Sequence, residues 1–96
     1  MGEFNLTEFA ASDLQAMLEY GYERFGINHA LRYRDEMLDC FRLLSDNPRL
    51  GRQVDQKSQT RRHEHGRHVI YYDIDDSCIL VLAIIDNRSI RQPPRQ

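Results

Sequence analysis

The sequence has little cysteine and no long hydrophobic run. Its two cysteines, Cys40 and Cys78, lie far apart and in no metal-ligand spacing, which argues against a disulfide framework and against a zinc ribbon. We therefore expect both to be buried free thiols. No stretch approaches about 18 consecutive apolar residues, and no basic region followed by an apolar run opens the chain. These absences predict a cytoplasmic protein without a membrane partner.

The chain also lacks the motifs of cofactor-dependent enzymes. It contains no glycine-rich loop of the kind that cradles phosphate and no recognisable covalent nucleophile. His63 and His65 are expected to share a strand face, with His68 on the other face, which leaves no evident third ligand for a metal. We therefore expect no cofactor and no bound metal. With 96 residues and 11.4 kDa, the chain is expected to form one domain over residues 1–96.

Lysine is almost absent, and arginine carries the basic charge. Twelve of the thirteen basic residues are arginines, and the formal net charge is −2. Residues 1–47 carry four basic against nine acidic residues, whereas residues 48–96 carry nine against six. Arginine holds carboxylates and phosphates in a planar bidentate fork that lysine cannot form. The second half therefore predicts an anionic partner, either nucleic acid or an acidic peptide, with ordinary surface charge as the alternative.

Two amphipathic helices are predicted in the first half of the chain. Apolar residues recur at helical spacing over 14–25 and again over 30–44. Pro48 ends the second helix, because a proline disfavours the helical conformation at the preceding residue. The short link between the helices predicts an antiparallel helical hairpin. Four aromatic residues at helical spacing are expected in its core: Tyr20, Tyr22, Tyr33 and Phe41.

The residues at the helix ends predict how each helix is capped. Thr7 or Ser12 is expected to cap the first helix, because a hydroxyl side chain can accept a hydrogen bond from a free backbone N–H. Gly26 is expected to end that helix in a left-handed conformation. Asn28 is then the predicted N-cap of the second helix.

The second half of the chain predicts a sheet. Runs of apolar and β-branched residues predict strands over 60–65, 68–74 and 78–85. A short strand is also predicted near the start of the chain, over 4–6. Residues 51–59 are expected to be an exposed connection, and residues 90–96, which contain two prolines, a mobile tail. The last strand is continuously apolar, which is typical of a central strand covered on both faces or nearly so. The order β-α-α-β-β-β predicts an α+β fold in which an N-terminal helical hairpin packs on an antiparallel sheet of about four strands.

Two motifs at the predicted junctions carry a family resemblance. Residues 44–51 follow a Leu-x-x-Asn-Pro-x-x-Gly pattern, and residues 66–72 follow a Gly-x-His-x-Ile-x-Tyr pattern. Together with segments 6–7, 11–14 and 20–26, they resemble the ParE toxins, the gyrase-directed branch of the ParE/RelE superfamily, over roughly residues 4–88. Where that family usually has Leu-His-x-Arg-x-Asp after its last strand, this chain keeps only the arginine, Arg88.

The resemblance implies the toxin half of a type II toxin–antitoxin system. Such a toxin inhibits DNA gyrase by binding, without enzymatic activity. A ParD-like antitoxin neutralises it in a hetero-oligomer that contacts DNA only through the antitoxin. Two alternatives stay open. The first is a RelE-like, ribosome-dependent mRNA endonuclease, and the second is a degenerate toxin that only binds antitoxin and represses transcription with it.

Arginines supply the candidate binding residues. We expect antitoxin carboxylates to meet five arginines of the second half: Arg49, Arg52, Arg61, Arg62 and Arg67. Contact with the target is assigned to three arginines at the end of the chain: Arg88, Arg91 and Arg95. In the endonuclease alternative, Arg61, Arg62, Arg67 and Arg88 would stabilise a phosphorane while His63 and Tyr71 or Tyr72 move a proton.

Overall fold

A computed structural model describes residues 3–76 and 78–87. Two helices lie between a short first strand and four later strands. In chain order the elements are β1 (Glu3–Leu6), α1 (Glu8–Phe25), α2 (Ile27–Asp46), β2 (Arg52–Gln53), β3 (Arg61–His65), β4 (His68–Asp75) and β5 (Cys78–Asp86). This order confirms the predicted α+β fold and its N-terminal helical hairpin. The predictions for residues 90–96 and for Arg88 concern residues outside the described ranges.

The sheet has five strands in the order β1-β5-β4-β3-β2, and it is mixed. The strands β2 to β5 pair antiparallel, whereas β1 lies parallel to β5 at one edge. The expectation of about four antiparallel strands is therefore corrected in count and in the direction of β1. Both differences concern pairing that periodicity does not reveal, because β1 meets its partner from the far end of the chain and β2 is only two exposed residues long.

The helix ends confirm part of the predicted capping. The Thr7 hydroxyl accepts a hydrogen bond from the Ala10 backbone N–H at 3.0 Å, while Ser12 lies inside α1. Gly26 ends α1 as predicted, with a φ of 93° that favours glycine, but its ψ of 168° lies outside the left-handed helical conformation expected for it. The same glycine is the N-cap of α2, so Asn28 lies inside the first turn of α2 and the prediction for Asn28 is wrong. A one-residue link leaves no room for a second capping residue.

The core lies between the helical hairpin and one face of the sheet. Its largest fully buried side chains come from α2, β4 and β5: Met37, Phe41, Leu44, Ile70, Tyr72, Ile79 and Val81. The Cys40 thiol is buried among them, and this burial raises its pKa. Cys78 is only partly buried, so the expectation of two buried thiols holds for one. Both cysteines are free.

The sheet face opposite the helices, called here the outer face, has no helix of the described chain packed on it. Strand β5 buries Ile79, Val81 and Ile84 toward the helices, while Leu80 and Ile85 are only partly buried. The prediction of a central strand that is nearly covered is confirmed, because β5 lies between β1 and β4 and none of its residues is exposed. A continuous apolar run cannot distinguish a strand enclosed between two layers from one that leaves an apolar surface open.

The Tyr72 hydroxyl joins the two sequence motifs. This fully buried side chain donates a hydrogen bond to the Pro48 carbonyl oxygen at 2.7 Å and accepts one from the Gly51 N–H at 2.9 Å. Burial raises the pKa of Tyr72, so the hydroxyl keeps its proton. A Cβ on Gly51 would lie 2.5 Å from the Tyr72 hydroxyl oxygen. The turn after α2 is therefore fixed to β4, and Gly51 is required because no side chain fits there.

We predict that Tyr72→Phe lowers the free energy of unfolding by about 1–3 kcal/mol, because the Gly51 N–H then lacks its acceptor in a buried place. Urea unfolding of the purified protein measures this loss. Tyr71→Phe is the matched control, since Tyr71 lies on the outer face and its hydroxyl makes no hydrogen bond within the described chain. Its effect should stay within about 0.5 kcal/mol. Equal losses in the two variants would contradict the role of the Tyr72 hydroxyl.

Candidate interaction surfaces

The structure separates the five arginines predicted to meet antitoxin into two groups. Arg49 lies in the turn after α2, Arg52 on β2, and Arg61 and Arg62 at the start of β3. Arg67 lies in the turn between β3 and β4, at the opposite end of β3. A strand advances about 3.3 Å per residue, so the length of β3 separates Arg67 from the others. The three arginines assigned to target contact lie outside the described residues: Arg88, Arg91 and Arg95.

Arg61 and Arg62 are neighbours in sequence but point to opposite faces of the sheet. The Arg61 guanidinium donates a hydrogen bond to the Gly51 carbonyl oxygen at 2.6 Å and so helps to hold the turn that Tyr72 fixes. Arg62 lies on the outer face, with its Cζ 5.9 Å from the centre of the Tyr71 ring. Arg52 lies directly opposite Arg62 in the β2–β3 register and is exposed.

Arg67 lies at the rim of a pocket between the helical hairpin and the ends of β4 and β5. The pocket has a volume of about 440 Å³, and its walls are largely apolar and aromatic. The Arg67 guanidinium is 3.4 Å from an Asp86 carboxylate oxygen, and its Cζ is 6.0 Å from the centre of the Tyr20 ring. Both charged side chains are partly exposed, so this ion pair adds little stability.

Tyr33 and His68 are hydrogen-bonded to each other in the lining of this pocket. The Tyr33 hydroxyl oxygen lies 2.8 Å from His68 Nδ1 and 3.3 Å from the His65 carbonyl oxygen. Gly66 makes this approach possible, since it has a φ of 60° and a Cβ there would lie 2.9 Å from the Tyr33 hydroxyl. Burial lowers the pKa of His68, and the Asp86 carboxylate opposes this shift in part. Burial also raises the pKa of Tyr33.

The aromatic residues of the helices were expected in the core, and only some are there. Phe41 is fully buried and Tyr33 is partly buried against the core. Tyr20 and Tyr22 are 42% and 56% exposed. The prediction is wrong for these two residues because α1 contacts the sheet with another side, and their helical spacing does not identify that side. The pocket that Tyr20 and Tyr33 line was not found from the sequence, since it depends on the crossing of α1, α2 and β4.

The residues named for the endonuclease alternative do not share one site. The Tyr72 hydroxyl is engaged by the turn after α2. Arg62 and Tyr71 lie on the outer face, whereas His63 pairs with Ile70 on the helix side of the sheet. Burial lowers the pKa of His63, with His65 as a second cause. Arg67 lies at the other end of β3. Among the described residues named for the endonuclease alternative, no arginine therefore lies beside both a histidine imidazole and a free tyrosine hydroxyl.

The three histidines of β3 and β4 were expected on two faces of the sheet, but all three lie on the same face. His63 and His65 share the helix side of β3, as predicted, and His68 lies directly opposite His65 because the turn reverses the chain. The placement of His68 on the other face is therefore corrected. Within residues 3–76 and 78–87, no group of three His, Cys, Asp or Glu side chains is arranged to hold a metal ion. Neither helix of these residues is both long and apolar enough to cross a membrane.

Comparisons with solved structures agree with this architecture. A chain from the chromosomal ParDE toxin–antitoxin system of P. aeruginosa matches with a TM-score of 0.74 and 21% identity, over 90% of this chain and 96% of that chain. A chain from the RelBE2 toxin–antitoxin complex of Mycobacterium tuberculosis matches with a TM-score of 0.64 and 20% identity, over 86% and 94% of the two chains. At these identities the likeness shows the fold alone.

The sequence itself identifies the family. The family model described as the ParE toxin of the type II toxin–antitoxin system parDE matches residues 4–91. A search among curated proteins found no match. The family match covers nearly the whole chain, and it includes both motifs that the Tyr72 hydroxyl connects in the structure. The chain belongs to the ParE toxin family, as the motifs predicted.

The lowered pKa values of His63 and His68 predict that stability falls in acid. Above the ordinary histidine pKa of about 6.5, both imidazoles are neutral in the folded and unfolded chains. As the pH falls through this value, the unfolded chain takes up protons first, so the free energy of unfolding decreases until the folded histidines also titrate. Thermal unfolding between about pH 7 and pH 5 measures this decline. His63→Gln with His68→Gln should flatten it, and an unchanged decline in the double variant would contradict the assignment.

Proposed function

We propose that this ParE-family toxin inhibits DNA gyrase by binding and that a ParD-like antitoxin neutralises it. The observation that carries the proposal is the family match over residues 4–91. The geometry supports action by binding, because the described arginines, histidines and tyrosines are divided between two faces and two ends of the sheet. The toxin then acts in the cytoplasm, without catalysis, by occupying a surface of a larger enzyme.

The antitoxin contact involves the arginines of the second half. Arg49 and Arg52 are exposed at one end of the sheet, and Arg67 is partly exposed at the other. Carboxylates of a partner can form bidentate hydrogen bonds with such side chains. The structural neighbours come from toxin–antitoxin complexes, which supports a partner of this kind. We expect the adjacent gene to encode the antitoxin, with a ribbon-helix-helix amino terminus that makes the only DNA contact of the complex.

Purified toxin is expected to stall gyrase and to leave RNA intact. Incubation with gyrase, ATP and supercoiled plasmid should accumulate linear DNA, because the toxin stabilises the cleaved intermediate, and addition of the antitoxin should prevent this. A translation reaction containing ribosomes and a defined message is the parallel assay. Message cleavage that depends on the ribosome, without any effect on gyrase, would support the RelE-like alternative. Antitoxin binding without either activity would identify a degenerate toxin.

We further propose that residues 88–96, which contain Arg88, Arg91 and Arg95, contact the target. A chain ending at Asn87 should fold, because it retains all of β5 and the Asn87 N–H donates to the Arg67 carbonyl oxygen at 2.6 Å. We expect it to lose growth inhibition while its antitoxin dissociation constant stays within about threefold, or about 0.65 kcal/mol.

A second variant separates charge from chain length in this test. The full chain with glutamine at the three arginine positions should be as inactive as the truncated chain. If the truncated chain stays toxic, or if it no longer binds antitoxin although circular dichroism shows it folded, residues 88–96 do not have this role.

A further inference from the structure

The outer face of the sheet carries two arginines whose guanidinium groups lack a full set of hydrogen-bond acceptors within the described chain. Arg52 and Arg62 lie directly opposite each other across β2 and β3. Like charges at directly opposed positions repel each other and destabilise a pair of strands. A structural role for this pair would require an acidic side chain between the two guanidinium groups. The register places the two arginines, and no acid, at that position.

The neighbours of Arg62 supply few hydrogen-bond acceptors to its guanidinium group. Its Nε atom is buried and makes no hydrogen bond. The nearest carboxylate is that of Glu64, whose oxygen lies 3.6 Å from Nη2, which is longer than a charge-assisted hydrogen bond. The Tyr71 ring, with its centre 5.9 Å from Cζ, supplies a flat surface beside the guanidinium but no acceptor. A buried donor without an acceptor is costly, so the position of Arg62 is not explained by the stability of the free toxin.

We propose that Arg52 and Arg62 form a clamp for one carboxylate of the antitoxin on the outer face of the sheet. The inference rests on the proposed function, since it names a site for the antitoxin. A carboxylate placed between the guanidinium groups removes their repulsion and accepts hydrogen bonds from the terminal nitrogens of both arginines. Leu80 and Ile85, partly buried on β5, give the same face an apolar surface for the residues around that carboxylate.

The surroundings favour a peptide carboxylate over a nucleic acid. Glu64 lies on the same strand face as Arg62, and Asp73 lies on the same face of β4, where its carboxylate accepts a hydrogen bond from the Thr60 hydroxyl at 2.7 Å. These acids repel a chain of phosphates, which needs several unopposed cations along its path. A single carboxylate needs only the two guanidinium groups that lie opposite each other.

The clamp is tested by arginine-to-lysine substitutions, which keep the charge but remove the planar fork. Arg62→Lys should raise the antitoxin dissociation constant at least about tenfold, and Arg52→Lys should also weaken binding. The double variant should lose less than the two single effects combined, because both arginines hold one group. Arg42→Lys is the control, since Arg42 is exposed on α2 and pairs with Asp39. It should bind antitoxin as the wild type does.

Thermal unfolding of the free toxin separates a clamp from a structural role. Because Arg62 leaves a buried donor unpaired, Arg62→Lys should melt at the wild-type temperature or above it. Weaker binding together with a lower melting temperature would indicate a structural role and overturn the proposal. Wild-type affinity in both lysine variants would also overturn it, and loss of gyrase inhibition with unchanged antitoxin affinity would assign the pair to the target. If the wild-type chain binds no antitoxin, the proposed function itself fails.

Discussion

The hydrogen bonds of the Tyr72 hydroxyl are the interaction on which the arrangement of the candidate surfaces depends. They hold Pro48 and Gly51 against the centre of the sheet, and so they fix the point at which the chain leaves α2. From that point the chain passes through β2, which carries Arg52, to β3, which carries Arg61 and Arg62. The Arg61 bond to the Gly51 carbonyl oxygen reinforces the same turn. One buried phenol therefore sets the position of the sheet edge relative to the helical hairpin.

This arrangement gives the domain two ends of different chemistry. At one end, the turn after α2 and the starts of β2 and β3 present arginines on an exposed edge. At the other end, the hairpin and the ends of β4 and β5 enclose an apolar pocket with Arg67 and Asp86 at its rim. In the proposed function, the toxin engages two different proteins, its antitoxin and its target. Two chemically distinct ends allow those contacts to be made by different residues.

Much of the fold could be predicted from local signals. Gly26 and Pro48 mark the helix ends, and the β-branched residues of β4 mark a strand, because each acts on its own segment of backbone. The pairing of β1 with β5 and the brief pairing of β2 could not be predicted, since both depend on residues distant in sequence. The same limit applies to the sites. Sequence identified the arginines, but only the structure separates Arg61, bound to a turn, from Arg62 on the outer face.

We propose that this chain acts by binding gyrase. Analytical ultracentrifugation of labelled toxin with purified gyrase, in the absence of ribosomes and of antitoxin, tests that proposal directly. We expect the toxin to sediment with gyrase and an excess of antitoxin to return it to a smaller toxin–antitoxin species. A toxin that sediments alone in the presence of gyrase, but sediments with purified ribosomes, would show that gyrase is not its target.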